Sequence, residues 1–201
     1  MEQTALNGGA RVKRIFDFVA SFVAVILLSP LFLAVSVMIL ITDGSPVLFK
    51  QERVGKDNKL FTVYKFRTMR NGTGDIATSE LADADEKITK TGKFLRMTSI
   101  DELPQLFNIL NGTMSIVGPR PLIPAEDEIR KLREEYGVYS VLPGITGYAQ
   151  INGRDNIDDK TKALLDKEYV EKQSFVFDLK IIFKTFIKVL KRSDIKDTEE
   201  L

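Results

Sequence analysis

Two adjacent acids, Asp101 and Glu102, lie in the segment Ser99-Ile100-Asp101-Glu102-Leu103-Pro104-Gln105-Leu106. Their setting supports two readings. Ser99 followed three residues later by Glu102 has the pattern of a capping box, with Asp101 as a favourable acid in the first helical turn. The same helix start lowers a carboxylate pKa and offers donors to phosphate oxygens. An ionised Asp101 there can attack phosphorus and form an aspartyl phosphate, with Glu102 and a hard divalent cation organising a pyrophosphate. Cations stand nearby in the chain. Lys65 and Arg67, in Tyr64-Lys65-Phe66-Arg67-Thr68-Met69, are two apart and share one side of a strand. They suit a phosphate-rich ligand or a plain exposed strand face. Gly118-Pro119-Arg120-Pro121 restricts the backbone around one arginine, which suits a rigid phosphate clamp. Arg96, just over a helical turn before Asp101, is a further candidate cation.

Composition narrows the chemistry. The 201 residues contain no histidine and no cysteine. Imidazole bases, thiolate nucleophiles, disulfides and His or Cys metal sites are therefore excluded. Carboxylates, Lys, Arg, Tyr or an oxygen-held metal are what remain. The formal net charge is only +1, which gives no reason to expect a nucleic-acid partner. No Walker loop, dinucleotide fingerprint or zinc spacing is present.

The elements that must position these groups start with an anchor. Residues 1–10 read as a disordered polar start, followed by the basic residues Arg11, Lys13 and Arg14. From Phe18 to Thr42 there is no charge, enough helix to cross a hydrocarbon core of roughly 30 Å. Ser29-Pro30 interrupts the run. Proline lacks the donor for the Ile26 carbonyl, and a neighbouring Ser hydroxyl can supply it. Two arms of about 16 and 18 Å then fit a helix over 11–43 that enters and leaves by one face. Basic flanks on both sides (Lys50, Arg53 and Lys56 follow) favour this re-entrant form over a kinked spanning helix.

The remaining residues, 44–192, read as a catalytic domain. Val47 to Met69 suits two strands around a turn at Gly55-Lys56-Asp57-Asn58. Asn71 to Lys90 is polar loop with a short helix, and Thr91 to Leu110 predicts one helix stopped at Asn111-Gly112. Ala125 to Tyr136 predicts a charged surface helix, Leu142 to Arg154 loop and short strand, and Asp158 to Lys172 another helix. Pro143-Gly144-Ile145-Thr146-Gly147 is either a plain turn or a loop that lets a ligand approach. Asn71-Gly72-Thr73 and Asn111-Gly112-Thr113 match the glycosylation pattern but read as turns. Helix 174–192 carries Phe175, Phe183 and Phe186 on an apolar side and Lys180, Lys184 and Lys188 opposite. It suits a membrane interface, or a soluble core with a solvated Lys face. Residues 193–201 read as a disordered tail.

Taken in order, these segments resemble the small monotopic phosphoglycosyl transferases, the bacterial sugar transferase family. The likeness rests on Lys13-Arg14-Ile15-Phe16-Asp17, Ser29-Pro30, Tyr64 to Met69, Asp101-Glu102-Leu103-Pro104-Gln105, Ser115-Ile116-Val117-Gly118-Pro119-Arg120-Pro121, Pro143 to Gly147 and Gln150-Ile151-Asn152-Gly153-Arg154. The resemblance implies an α+β (α/β) fold, mainly helical, with a re-entrant membrane helix and amphipathic interface helices. It implies transfer of a sugar 1-phosphate from a UDP-sugar to undecaprenyl phosphate, with Asp101 as nucleophile and UMP as leaving group. Mg²⁺ would sit at Asp101 and Glu102, and Lys65, Arg67, Arg96, Arg120 and Asp166 would bind substrate phosphate or line the site. The active site would face the cytoplasm at the bacterial inner membrane, in contact with lipid, and a homodimer is compatible with it. Larger relatives carry further N-terminal helices, which makes this chain resemble the minimal catalytic form. Two rivals stand beside this reading: a one-step transferase in which Asp101 only holds metal, and a non-enzymatic anchored protein docking through Ala125 to Tyr136.

Overall fold

A computed structural model of the chain describes residues 2–70, 72, 87–153 and 157–191. The architecture is mostly helical, with two small two-stranded sheets. Helix α1, Glu2–Thr42, takes in most of the stretch expected to lack structure, so the polar start is helical from Glu2 onward. Helical structure continues past the expected break at Ser29-Pro30, with Pro30 inside the helix. The physical reason is the expected compensation: Ser29 Oγ donates to the Ile26 carbonyl at 2.8 Å, replacing the amide that proline lacks. From Gly9 to Thr42 the helix is long and apolar enough to cross a membrane, and only 11% of its most apolar window is buried.

Both flanks of that apolar run are fastened to the same folded core. On the N-terminal side Lys13 Nζ reaches Asp178 Oδ2 at 2.6 Å and the Val117 carbonyl at 3.0 Å. Asp17, buried, accepts from Ser115 Oγ at 2.7 Å. On the other side Val35 and Ile39 pack with Phe66 and Leu95. Thr89 Oγ1 donates to Asp43 Oδ2 at 3.2 Å. Between these fastenings most large apolar side chains turn outward, with Leu27 72% exposed, while Ser21 is buried.

Strands β1 (Leu48–Val54) and β2 (Leu60–Phe66) form the expected antiparallel hairpin, with Lys65 opposite Phe49. The next expectation fails. Thr91 to Leu110 is not one helix but α2 (Lys90–Met97), a 3₁₀ turn (Ile100–Glu102) and α3 (Gln105–Leu110). Ser99 takes the left-handed conformation, φ 56°, which ends α2 and redirects the chain. Pro104 then starts α3. Helix α3 ends at Asn111, whose side-chain oxygen accepts from Thr113 N at 3.1 Å, the turn expected there. The other glycosylation-like triplet and much of the 71–90 loop, like Arg154 and the 193–201 tail, fall outside the described residues.

A parallel pair, β3 (Ser115–Val117) with β4 (Gly144–Thr146), was not foreseen as a sheet. Its glycines serve backbone packing. A Cβ on Gly144 would overlap the backbone of Gly118 and Thr146, and one on Gly147 the Gly118 carbonyl. The close approach read into Pro143 to Gly147 is therefore made by the chain's own segment 118. Gly144→Ala is expected to cost about 3 kcal/mol, the upper end for overpacking. Thermal unfolding in detergent should show Tm lower by roughly 6–12 °C; an unchanged Tm would refute the packing role.

Helices α4 (Asp127–Glu135) and α6 (Asp159–Lys172) match expectation, joined by short helix α5 (Tyr148–Ile151). Helix α7, Phe175–Lys191, buries Asp178 and Ile181 but leaves Phe183 and Phe186 more than 60% exposed. The soluble core thus covers only a narrow stripe of it.

Candidate active site

Asp101 is carried by the 3₁₀ turn that the left-handed Ser99 creates. The capping box is not formed: Ser99 makes no side-chain cap bond. Glu102 instead turns to the cations, its Oε1 lying 2.8 Å from Lys65 Nζ and 3.3 Å from Arg120 Nη1. Lys65 comes from β2 and Arg120 from the loop after β3, so three segments distant in sequence meet on one carboxylate oxygen. Arg96, from α2, is steadied by an Nε donation to Thr68 Oγ1 at 2.9 Å, and its charge also acts on Asp101.

The electrostatics are those of a strained site. Asp101 is only 9% exposed, and burial pushes its carboxyl up to about 6. Neighbouring Glu102 raises it further, against the pull of Lys65, Arg96 and Arg120. The expected lowering by a helix N-terminus does not occur, because the 3₁₀ turn is too short to present one and desolvation dominates. Burial likewise lowers the Lys65 pKa, with Glu102 opposing. Among the described residues Glu102 makes the ion pairs of this cluster and Asp101 makes none. Among the described residues the three cations outnumber the two acids of the pair, which suits a phosphate group.

The acid pair also bears on a metal. Among the described residues no cluster of three or more acids exists, so the protein alone offers a cation few ligands. Two carboxylates are a set that magnesium accepts when phosphate oxygens and water complete its shell. Asp101 and Glu102 fit that role together with a bound diphosphate.

Two expected site residues lie elsewhere. Arg67 follows the last residue of β2 and is 6% exposed. Its Nη2 donates to the carbonyls of Asp43 (2.8 Å) and Gly44 (2.6 Å), closing the C-terminal end of α1. The shared strand face with Lys65 is thus not realised. Asp166, on α6, is fully buried and pairs with Arg133 Nη2 of α4 at 2.6 Å. It touches the site only at second hand: Arg133 Nη1 donates to the Arg120 carbonyl at 2.7 Å. Arg133 was not singled out from the sequence. Its signal was position, since it stands one helical turn after Ile129 on the buried face of an otherwise charged helix.

A buried acid pair set among cations, in a chain that also carries a long apolar helix, is an arrangement suited to handling phosphate groups near a membrane. Comparison with known proteins agrees. The family model described as bacterial sugar transferase matches residues 9–192. The chain is 43% identical over 197 residues to the uncharacterized sugar transferase EpsL of Bacillus subtilis, covering 94% of this chain and 93% of that one. It is 42% identical over 193 residues to the UDP-glucose:undecaprenyl-phosphate glucose-1-phosphate transferase of Escherichia coli, covering 92% of this chain but 42% of that one. It is 38% identical to the exopolysaccharide production protein ExoY of Rhizobium meliloti, covering 88% of this chain and 84% of that one. The chain belongs to the bacterial sugar transferase family and is an enzyme of the phosphoglycosyl transferase kind.

Proposed function

We propose that the enzyme transfers a sugar 1-phosphate from a UDP-sugar to undecaprenyl phosphate in two steps through a covalent phosphosugar on Asp101. The observation that carries this is the division of labour within the acid pair: Glu102 holds Lys65 and Arg120, while Asp101 stands beside them without an ion pair among the described residues. In the first step an Asp101 oxygen bonds to the β-phosphorus, the bond to the bridging oxygen breaks, and UMP leaves with the electron pair. In the second, an oxygen of undecaprenyl phosphate bonds to the same phosphorus and Asp101 leaves as carboxylate. Lys65, Arg96 and Arg120 neutralise the phosphoryl oxygens in both steps. Magnesium held by Asp101 and Glu102 would supply charge neutralisation at the diphosphate.

The donor and acceptor are drawn from the relative in Escherichia coli, whose name states both. A Salmonella typhimurium relative is named for galactose instead, so the sugar itself is left open. The ExoY relative is named for exopolysaccharide production, and a place as the first membrane step of glycoconjugate synthesis is proposed here. Incubation with a UDP-sugar labelled in the sugar, without acceptor, should leave one label per chain on Asp101 and release one UMP. Ternary-complex kinetics with no trapped adduct would overturn the covalent step in favour of direct transfer.

For the membrane, a re-entrant α1 is proposed, at the cytoplasmic face of the inner membrane. Its support is that the residues before and after the apolar run both bind one core, through Lys13 to Asp178 and through Asp43 to Thr89. A spanning helix would place its two ends about 30 Å apart on opposite faces. Helix α7 is assigned to the same surface, its exposed Phe183 and Phe186 toward lipid and Lys180 and Lys184 toward anionic headgroups. The chain has no cysteine, so a single cysteine introduced at Glu2 reports topology without background. It should react with impermeant maleimide only after the inner face is exposed; labelling of intact spheroplasts would sink the re-entrant model.

A further inference from the structure

A concave feature shares Arg120 with the acid pair. A cavity of about 100 Å³ lies between the end of β1, the loop after β3, and helices α4, α5 and α6. One water needs about 10–15 Å³ by this measure, so the space holds several waters, the scale of a heterocyclic ring with part of its sugar. Its walls divide by chemistry. Leu122, Ile129 and Ala149 are apolar and buried. Arg53, Arg120 and Lys162 bring positive charge. The two acids at its edge are engaged: Glu126 Oε2 accepts from Ile123 N at 2.6 Å, and Asp159 lies 3.1 Å from Lys162.

Arg120 joins the two places. It lines the cavity and also pairs with Glu102, so a ligand phosphate at Arg120 can have one end at Asp101 and the other in the cavity. The loop that carries it is fixed from both sides, since Arg133 donates to its carbonyl and Arg53 Nη1 donates to the Pro121 carbonyl at 3.2 Å. In an in-line displacement the leaving group departs on the side away from the nucleophile. The departing part of a nucleoside diphosphate sugar is an apolar-faced base and ribose carrying an anionic phosphate, which matches an apolar floor with a cationic rim.

We infer that this cavity receives the nucleoside monophosphate half of the donor, with the base against Leu122, Ile129 and Ala149 and the α-phosphate between Arg53, Arg120 and Lys162. The assignment rests on the proposed transfer reaction for its orientation, but its test does not. Binding of UMP to the full-length protein in nanodiscs is measured by calorimetry for the wild type, Ala149→Leu, which fills the floor, and Lys162→Glu, which reverses a rim charge. Each variant is expected to weaken UMP binding at least tenfold while keeping the wild-type Tm within a few degrees. Lys162→Ala gives a milder loss in the same direction and serves if Ala149→Leu fails to fold. UMP binding within twofold of wild type in Ala149→Leu and both Lys162 variants would overturn the assignment. If the wild type transfers sugar phosphate and the variants bind UMP normally, the cavity assignment alone falls. If the variants lose UMP yet the wild type never transfers sugar phosphate, the transfer reading alone falls.

Discussion

Asp101→Asn is expected to reduce UMP release from a UDP-sugar by at least about 10³-fold, some 4 kcal/mol of transition-state stabilisation, and to abolish covalent labelling. The same change is expected to make the protein more stable. Burial raises the Asp101 pKa from 3.8 in the unfolded chain to about 6. A folded pKa above the unfolded one means that the folded state holds the proton more tightly. Its contribution is complete below pH 3.8 and is lost as pH rises to about 6. At neutral pH the ionised side chain therefore costs stability, on the order of 3 kcal/mol. Replacing it by a neutral isostere removes that cost, so Asp101→Asn should melt higher than wild type at pH 7.5 and not at pH 4. Wild-type turnover should fall about tenfold per pH unit below about 6, as the nucleophile protonates. Full turnover by Asp101→Asn would end its role as nucleophile; a lower Tm would contradict the desolvated site.

Arg133→Met is expected to give the largest loss of stability, about 3–5 kcal/mol, because it leaves Asp166 buried and unpaired. Burial already raises the Asp166 pKa, and Arg133 opposes that shift. With the arginine gone the folded pKa rises further, so the deficit should grow as pH rises above 3.8, the ordinary value, and shrink in acid. A double variant, Arg133→Met with Asp166→Leu, should recover most of the stability, since an apolar pair can replace a buried ionic one. It should not recover the transfer rate, because the Arg120 carbonyl still lacks the Arg133 donor. Denaturant unfolding of the single variant within 1 kcal/mol of wild type would refute the pairing's importance.

What could be read from the sequence follows the range of the forces involved. The hairpin, α4 and α6 were legible because alternation, helical period and a cap at Asp158 are local signals. The Asp101–Glu102 pair was legible as chemistry, but not its setting. The run from Thr91 to Leu110 has helical composition throughout. Nothing local marks Ser99 as left-handed, and that one residue separates α2 from the turn that bears the nucleophile. The burial that raises the Asp101 pKa comes from segments brought together by the fold, so helix-terminus reasoning gave the wrong direction. Arg67 shows the same limit. Its spacing put it on the Lys65 side of a strand, yet it lies past the end of β2 and donates to carbonyls at the end of α1, two dozen residues upstream. The resemblance placed Asp166 beside the substrate, whereas its contact is Arg133 on another helix. The Ser29 hydroxyl at the Ile26 carbonyl was foreseen because proline's missing donor is a strictly local matter.

The fastening of Lys13 to Asp178 spans 165 residues of sequence. A ribosome emits the lysine 165 residues ahead of the aspartate. Until the aspartate emerges, the leading arm of the anchor has only its earlier partners, Ser115 and the Val117 carbonyl, while the hairpin and the glycine-packed strands assemble. The clasp shuts only after α7 has begun to emerge. Chains cut short before Asp178 should carry every residue of the active cluster, with the leading arm of the anchor held only through Asp17 and the Val117 carbonyl.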